Sequence, residues 1–193
     1  MEISTESVKE LRDKTGISIM QCRKALIEAE GDMEKAIVIL QKNSKSIASN
    51  KTGRTLGSGV VAAYVHGTGN VGSMVELGCE TDFVAKNEEF KKIAYDIAMH
   101  VAATNPQFLK TEDISQEVRD KTAAALASEV ADKPEAMREK IMEGKLAAYF
   151  SEQVLLDQPF IKNQDITIAG LIEAAVQKFG ERIEIGRYTR FSI

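Results

Sequence analysis

The sequence predicts an α+β protein in which a small all-helical domain precedes a core of antiparallel strands covered by helices. Three short segments of helical apolar periodicity fill residues 1–42, and a polar stretch follows at 43–58. Two alternating segments joined by a glycine-rich turn open residues 59–193, where longer helical stripes follow. We therefore expect a three-helix domain at 1–42, a linker at 43–58 and a core of about three strands at 59–193.

Capping residues and glycines predict the three N-terminal helices. The first begins at Ser4 or Thr5 and ends at Gly16, a residue type favoured just past a helix end. Ser18 and Gln21 form a capping-box pattern for the second helix. Asp32 caps the third. The apolar positions between these signals are Val8, Leu11, Ile19, Cys22, Leu26, Ala29, Met33, Ala36, Ile37 and Leu40.

The 43–58 segment is rich in Ser, Asn, Gly and Lys, which is typical of a linker with room for a turn or two of helix. It lies in a stretch, from Lys35 to Val75, that holds basic but no acidic residues. This charge pattern suits a solvated connector, and it also suits a positive patch that faces an acidic partner or RNA. The basic residues are Lys35, Lys42, Lys45, Lys51 and Arg54.

A β-hairpin and a C-terminal strand are predicted to form the sheet. Val60–His66 and Val71–Glu80 alternate like strands on either side of the turn at 67–70. The tail at 182–193 is expected to pair with this hairpin. On the first strand, one face is expected to hold Val61, Ala63 and Val65. On the second strand, one face is expected to hold Val71, Ser73, Val75, Leu77 and Cys79. On the C-terminal strand, one side is expected to hold Ile183, Ile185, Phe191 and Ile193.

Helices and one loop complete the predicted core. The expected segments are a helical stripe from Phe90 to Val101 ended by Asn105-Pro106, exposed helices at 115–131 and 134–152 separated by Lys133-Pro134, a loop at 155–164 containing Pro159, and a helix capped by Thr167 and closed by Gly180.

Composition excludes several classes of protein. Lys and Arg number 25 against 29 Asp and Glu, a net charge of −4 that argues against a generally basic nucleic-acid-binding protein. Two cysteines do not make a disulfide scaffold. No apolar run approaches the roughly 20 residues of a membrane span, and no signal or transit peptide is visible after Met1. We expect a cytoplasmic protein with no membrane association and no direct nucleic-acid partner.

No pattern in the sequence predicts catalysis, a metal or a cofactor. The spacing of Gly67, Gly69 and Gly72 matches a dinucleotide-binding fingerprint, but it falls within a hairpin and no helix follows it. The histidines and cysteines lack partners at motif spacing, which favours structural roles for His66, His100, Cys22 and Cys79. We expect a protein that is not an enzyme.

One segment, Thr81-Asp82-Phe83-Val84, is unusual because a large aromatic residue stands beside an acid at the start of a helix. Two structural explanations are available. Asp82 is a candidate helix cap, and Phe83 is a candidate hydrophobic staple.

Val8–Gly16 runs into Ile19–Leu26, and Cys79–Asn87 directly follows the predicted hairpin. These two separated motifs resemble the elongation factor Ts family, in which the first belongs to a ubiquitin-associated-type N-terminal domain. Gln158–Phe160 and Arg187–Phe191 are weaker matches in the same order. The resemblance implies a guanine-nucleotide exchange factor for elongation factor Tu. By this resemblance, the residues that disturb the Mg²⁺ and phosphate site of elongation factor Tu are Thr81, Asp82, Phe83 and Val84. The residues that contact the GTPase domain of elongation factor Tu are Ile19, Met20 and Arg23.

The resemblance also implies a homodimer through the sheet-bearing core. Longer family members carry two related core modules, whereas residues 59–193 hold one, and short members supply the second copy by dimerising. The alternative is a non-catalytic module that binds a ubiquitin-like protein or associates with the ribosome.

Overall fold

The computed structural model describes residues 3–131 and 134–193. Lys133, predicted to separate two helices, lies outside the described residues. The helices are α1 Thr5–Thr15, α2 Ile19–Glu28, α3 Met33–Ser49, α4 Asp82–Ala85, α5 Glu88–Thr104, α6 Gln116–Val130, α7 Glu135–Ser151 and α8 Ile168–Phe179. The strands are β1 Ser58–His66, β2 Val71–Cys79, β3 Pro159–Phe160, β4 Asn163–Thr167 and β5 Ile183–Ser192. Within the described ranges, no helix is long and apolar enough to cross a membrane.

The caps of the first three helices form as predicted, with one difference. Ser4 and Asp32 accept backbone N–H groups of the first turns of α1 and α3, and Gly16 closes α1 in the left-handed conformation at φ 68°. Ser18 accepts the Gln21 N–H, but its hydroxyl then donates to the Gln21 side-chain oxygen at 2.8 Å. The small core of this unit comprises Val8, Leu11, Ile17, Cys22, Ala25, Leu26, Ala29, Ala36 and Leu40.

Helix α3 continues to Ser49, well into the segment predicted as a linker. Its second half packs on α8 because Ile47 and Ala48 lie against the main hydrophobic core. Ser44, 3% exposed, lies in hydrogen-bonding contact with the side chain of Gln177 on α8. One continuous helix therefore joins the N-terminal unit to the core.

The three-stranded sheet is antiparallel, in the order β1-β2-β5, as the sequence predicts. Val75, Leu77 and Cys79 of the central strand β2 are fully buried against the helices. Ser73 shares this face and donates to the carbonyl of Ala98 on α5 at 2.5 Å. Among the described residues, the helices pack on this side of the sheet, and the other side is open, with Val65, Met74 and Phe191 exposed.

A β-bulge in β5 overturns one expectation about the faces. Glu76 pairs with Arg187 but its neighbour Leu77 pairs with Ile185, so Gly186 is an extra residue. The extra residue shifts the alternation, and Phe191 is consequently 68% exposed although Ile185 is buried. The prediction that Ile183, Ile185, Phe191 and Ile193 share one side is therefore wrong.

Helices α6 and α7 form the predicted helical hairpin. A separate small hydrophobic cluster of Ile114, Phe150 and Val154 lies where the hairpin begins and ends. The segment predicted as a loop at 155–164 contains a short helical turn and the start of the β3-β4 hairpin. Thr167 caps α8 by accepting the Gly170 N–H at 3.1 Å, as the sequence predicts.

Candidate functional site

The unusual Thr81–Val84 segment forms the four-residue helix α4, directly after β2. Val84 and Ala85 are 4% and 7% exposed and anchor this turn in the main core. Phe83 faces the other way and is 81% exposed. The structure thus presents a large apolar side chain to solvent on a helical turn that is held from beneath.

Both structural explanations for this segment are wrong. The N-cap of α4 is Thr81, and Asp82 is the first helical residue. Phe83 is not a staple, because a staple packs its side chain against the following turn and Phe83 is exposed. Phe83 therefore makes no packing contribution to the fold that accounts for its residue type.

Asp82 forms an ion pair with Lys86, one helical turn onward, at 2.5 Å. The hydrogen bond from Lys86, reinforced by its charge, lowers the pKa of Asp82 from its ordinary value. The carboxylate is accordingly ionised at neutral pH. An exposed anion and an exposed aromatic ring stand side by side.

A cluster of polar groups holds the residues just before α4. The Glu181 carboxylate accepts the backbone N–H groups of Glu80 and Thr81 at 3.0 and 2.9 Å and the Thr81 hydroxyl at 2.5 Å. The Glu80 carboxylate in turn accepts the Arg182 N–H at 2.5 Å and pairs with Arg54 at 3.3 Å. The Arg182 hydrogen bond is the main reason that the pKa of Glu80 is lowered.

Sequence analysis missed this cluster, because its members lie about a hundred residues apart and share no periodicity. Near the site, sequence alone provides the unusual Thr81–Val84 segment and the i, i+4 spacing of Asp82 and Lys86.

The N-terminal candidate residues lie at the start of α2. Ile19 and Met20 are 55% and 84% exposed, and Arg23 is exposed one turn later. The prediction that Ile19 belongs to the apolar face of α2 is wrong. Because the Ser18 cap fixes where α2 begins, these three side chains have a defined place on the surface.

Comparison with known proteins decides the family. The family described as elongation factor TS matches residues 9–193. Elongation factor Ts of Carboxydothermus hydrogenoformans is 48% identical over 193 residues, covering 99% of this chain and 89% of that protein. Elongation factor Ts of Thermodesulfovibrio yellowstonii is 47% identical over 194 residues, covering 100% of this chain and 97% of that protein. The chain belongs to the elongation factor Ts family.

Membership of the elongation factor Ts family places the protein in translation elongation. The matched range, 9–193, includes both the α2 start and α4, so both exposed clusters lie within the part of the chain that the family shares.

Cys22, Cys79 and His100 are buried, whereas His66 is exposed. Cys22 and Cys79 are buried free thiols, and burial raises the pKa of each. His66 bonds the Tyr64 hydroxyl through Nδ1 at 2.8 Å, and His100 is fully buried beside Gln158. Across residues 3–131 and 134–193, no group of three or more His, Cys, Asp or Glu is placed to hold a metal ion.

The basic stretch does not form one free patch. Lys35 pairs with the Asp32 cap at 3.4 Å, and Lys51 donates to the Gly180 carbonyl at 2.5 Å. Arg54 pairs with Glu80. Three of its five basic residues thus have intramolecular partners, which favours the connector interpretation over a surface for RNA.

Proposed function

We propose that this chain is a guanine-nucleotide exchange factor that binds elongation factor Tu·GDP in the cytoplasm and promotes GDP release by disturbing its Mg²⁺ and phosphate site. The observation that carries the proposal is the exposed Phe83, fixed on α4 beside the ionised Asp82. A rigid apolar ring is suited to displacing a helix of the partner. A carboxylate competes with phosphate for cationic and hydrogen-bonding groups, and its charge disturbs the oxygen ligands arranged around Mg²⁺.

The proposed mechanism requires no covalent or acid–base step. Exchange follows when the factor binds the nucleotide-free partner more tightly than the GDP-bound partner, because the coupling between two ligands is reciprocal. A thousandfold weakening of GDP binding corresponds to about 4 kcal/mol of binding free energy. Burying one Phe yields roughly 1.5–3 kcal/mol, so Phe83 needs additional contacts.

The α2 start supplies a second contact surface in this proposal. Ile19 and Met20 offer exposed apolar area, and Arg23 offers a cation one turn away. We assign these residues to the GTPase domain of elongation factor Tu. They contribute binding energy, whereas Asp82 and Phe83 act on the nucleotide site.

Release of a fluorescent GDP analogue from elongation factor Tu tests the proposal. The wild type is expected to accelerate release, and Asp82→Ala and Phe83→Ala are expected to reduce the acceleration at saturating factor. Met20→Ala is expected to raise the concentration needed for half-maximal acceleration. Val38→Ala is the matched control, because Val38 is also apolar and 62% exposed but lies on α3. No acceleration by the wild type overturns the function, and full activity of both α4 variants overturns the role of Asp82 and Phe83.

Chelation of Mg²⁺ tests the mechanism separately. With EDTA present the partner's Mg²⁺ is already removed, so the advantage of the wild type over Asp82→Ala is expected to shrink. An unchanged advantage in EDTA would exclude action on the Mg²⁺ site while leaving the exchange function standing.

We also propose that the protein is a homodimer through the open face of its sheet. The residues on this face are paired directly across the strands, which brings Val65, Gly72 and Phe191 into one row and Ala63, Met74 and Thr189 into the next. Val65, Met74 and Phe191 are 65%, 45% and 68% exposed. An apolar sheet face of this kind is typical of an interaction surface, and two copies bury it against each other.

Light scattering at micromolar concentration tests the dimer. Wild type is expected at twice the chain mass of 21.2 kDa. Met74→Lys and Phe191→Lys are expected to shift it toward the monomer, whereas Val38→Lys, an equivalent change on α3, is expected to leave it unchanged. A monomeric wild type overturns the proposal.

A further inference from the structure

The start of α4 is held by a side chain that lies a hundred residues further along the chain. Thr81 is the N-cap of α4, but its hydroxyl makes no cap hydrogen bond. The hydroxyl donates to Glu181 Oε1, and the N–H groups of Glu80 and Thr81 both donate to Glu181 Oε2. The Glu181 carboxylate therefore accepts hydrogen bonds from both donors of Thr81, its backbone N–H and its hydroxyl.

Helix α4 has one turn and cannot set its own direction, because isolated helices of this length are unstable in water. Val84 and Ala85 bury its inner side. The approach of the chain through Glu80 and Thr81 then helps to decide where the outer side points. The hydrogen bonds to Glu181 fix that approach, with Thr81 held extended at φ −124° and ψ 157°.

Glu181 is itself well supported. It follows Gly180, which closes α8 in the left-handed conformation at φ 72° and whose carbonyl accepts Lys51 Nζ at 2.5 Å. It precedes Arg182, whose N–H donates to the Glu80 carboxylate and whose guanidinium bonds Glu184 at 2.7 and 2.8 Å. The carboxylate thus projects from a short connection between α8 and β5 whose flanking residues are hydrogen-bonded.

We propose that Glu181 is a positioning residue for nucleotide exchange, which holds α4 so that Phe83 stays presented to the partner. The inference rests on the proposed function of Phe83. An exposed Phe gains free energy by folding onto nearby apolar surface, and the hydrogen bonds to Glu181 oppose that motion before the partner arrives. Ordering α4 in advance lowers the cost of binding.

Exchange kinetics with Glu181 variants test the inference. Glu181→Ala removes all three hydrogen bonds and is expected to reduce accelerated GDP release about tenfold or more, as misplacement of a contacting group does. Glu181→Gln keeps an oxygen that accepts from the two backbone N–H groups. Its amide N–H can donate a hydrogen bond to the Thr81 hydroxyl, so this variant is expected to retain most of the exchange activity. Glu129→Ala is the matched control, since Glu129 pairs with Lys145 on the helical hairpin, away from α4.

A double-mutant cycle separates positioning from general stability. If Glu181 acts through Phe83, then Glu181→Ala has little further effect once Phe83 is Ala. Thr81→Val removes one of the three hydrogen bonds and leaves Glu181 intact, so it is expected to show a smaller loss of the same kind. It also serves if Glu181→Ala fails to fold.

A tryptophan at position 83 provides a readout that a merely structural role does not change. The chain contains no Trp, so Phe83→Trp creates a single fluorescent reporter on α4. Adding Glu181→Ala is expected to increase its nanosecond motion in time-resolved anisotropy, and adding Glu181→Gln is expected to restore the restricted motion.

The two proposals fail in different ways. If Phe83→Ala exchanges nucleotide like the wild type, the proposed function of Phe83 is wrong. Two results would show that the positioning role of Glu181 is wrong while the function of Phe83 stands. In the first, Phe83→Ala slows accelerated GDP release but Glu181→Ala does not. In the second, the losses of exchange activity in the two variants simply add in the double variant. Unaltered anisotropy at position 83 in the Glu181→Ala protein also overturns the positioning role.

Discussion

Phe83 and Val84 are neighbours in the chain, yet 81% of Phe83 is exposed and only 4% of Val84 is. Truncating Val84 should therefore lower the free energy of unfolding, whereas truncating Phe83 should leave it nearly unchanged. Val84→Ala is expected to lower the free energy of unfolding by about 1–3 kcal/mol, because it leaves a cavity in the main core. Phe83→Ala is expected to change it by about 0.5 kcal/mol or less. Urea denaturation measures both, and equal losses would contradict this division of roles.

Two glycines of the sheet should differ in their tolerance of alanine. A Cβ on Gly59 would lie 2.5 Å from the Leu77 carbonyl oxygen and 3.0 Å from Gly78 Cα, which are backbone atoms of the paired strand. A Cβ on Gly186 would meet only the flexible end of Glu76, at 2.7 Å. Gly59→Ala is expected to cost about 2 kcal/mol or more, and Gly186→Ala about 1 kcal/mol or less. Thermal unfolding in the opposite order would contradict this reading of β1-β2 packing.

Local signals predicted the parts of the fold that local chemistry determines. Ser4, Asp32 and Thr167 cap their helices because each side chain bonds N–H groups only two or three residues away. The hairpin followed from alternation on both sides of a glycine-rich turn. Cap, turn and period are all readable within a window of a few residues.

The structural features that the sequence did not predict depend on contacts between distant segments. Helix α3 extends to Ser49 because its polar second half gains a partner in α8, which its own weak periodicity does not reveal. The bulge at Gly186 depends on pairing with β2. At the candidate site, motif residues such as Phe83 were found through family resemblance, whereas Glu181 had no signal because its partners are about a hundred residues away.

The contact between Ser44 and Gln177 should hold α3 on the core. Ser44 is 3% and Gln177 8% exposed, and Ser44→Ala leaves the side-chain oxygen of Gln177 buried without this hydrogen bond. The Ser44 hydroxyl also lies 2.9 Å from the Leu40 carbonyl oxygen, so it keeps an acceptor when Gln177 is removed. Ser44→Ala is expected to lower the free energy of unfolding by about 1–3 kcal/mol. Gln177→Ala added to it should cost little more, since the partner is already gone. Fully additive losses in urea denaturation would show that the two side chains do not act as a pair.

The surroundings of His100 make it a neutral residue in the folded protein. Its Nδ1 accepts the Ile161 N–H at 3.4 Å, so Nε2 carries the proton and donates to Gln158 Oε1 at 2.8 Å. Desolvation lowers the pKa of His100, and the Gln158 hydrogen bond offsets this in part. Protonation must therefore break an existing hydrogen bond and charge a fully buried ring.

Stability should consequently fall as the pH drops below about 6.5, the pKa of an unfolded histidine, because there the unfolded chain binds a proton that folded His100 does not. The loss continues until the pH reaches the lowered pKa of the folded state, with a slope of at most about 1.4 kcal/mol per pH unit. Glu173, whose pKa desolvation raises, acts in the opposite direction, so the comparison is with His100→Gln. Urea denaturation from pH 7.5 to 5.5 should show a steeper decline for the wild type, and parallel curves would contradict a buried neutral His100.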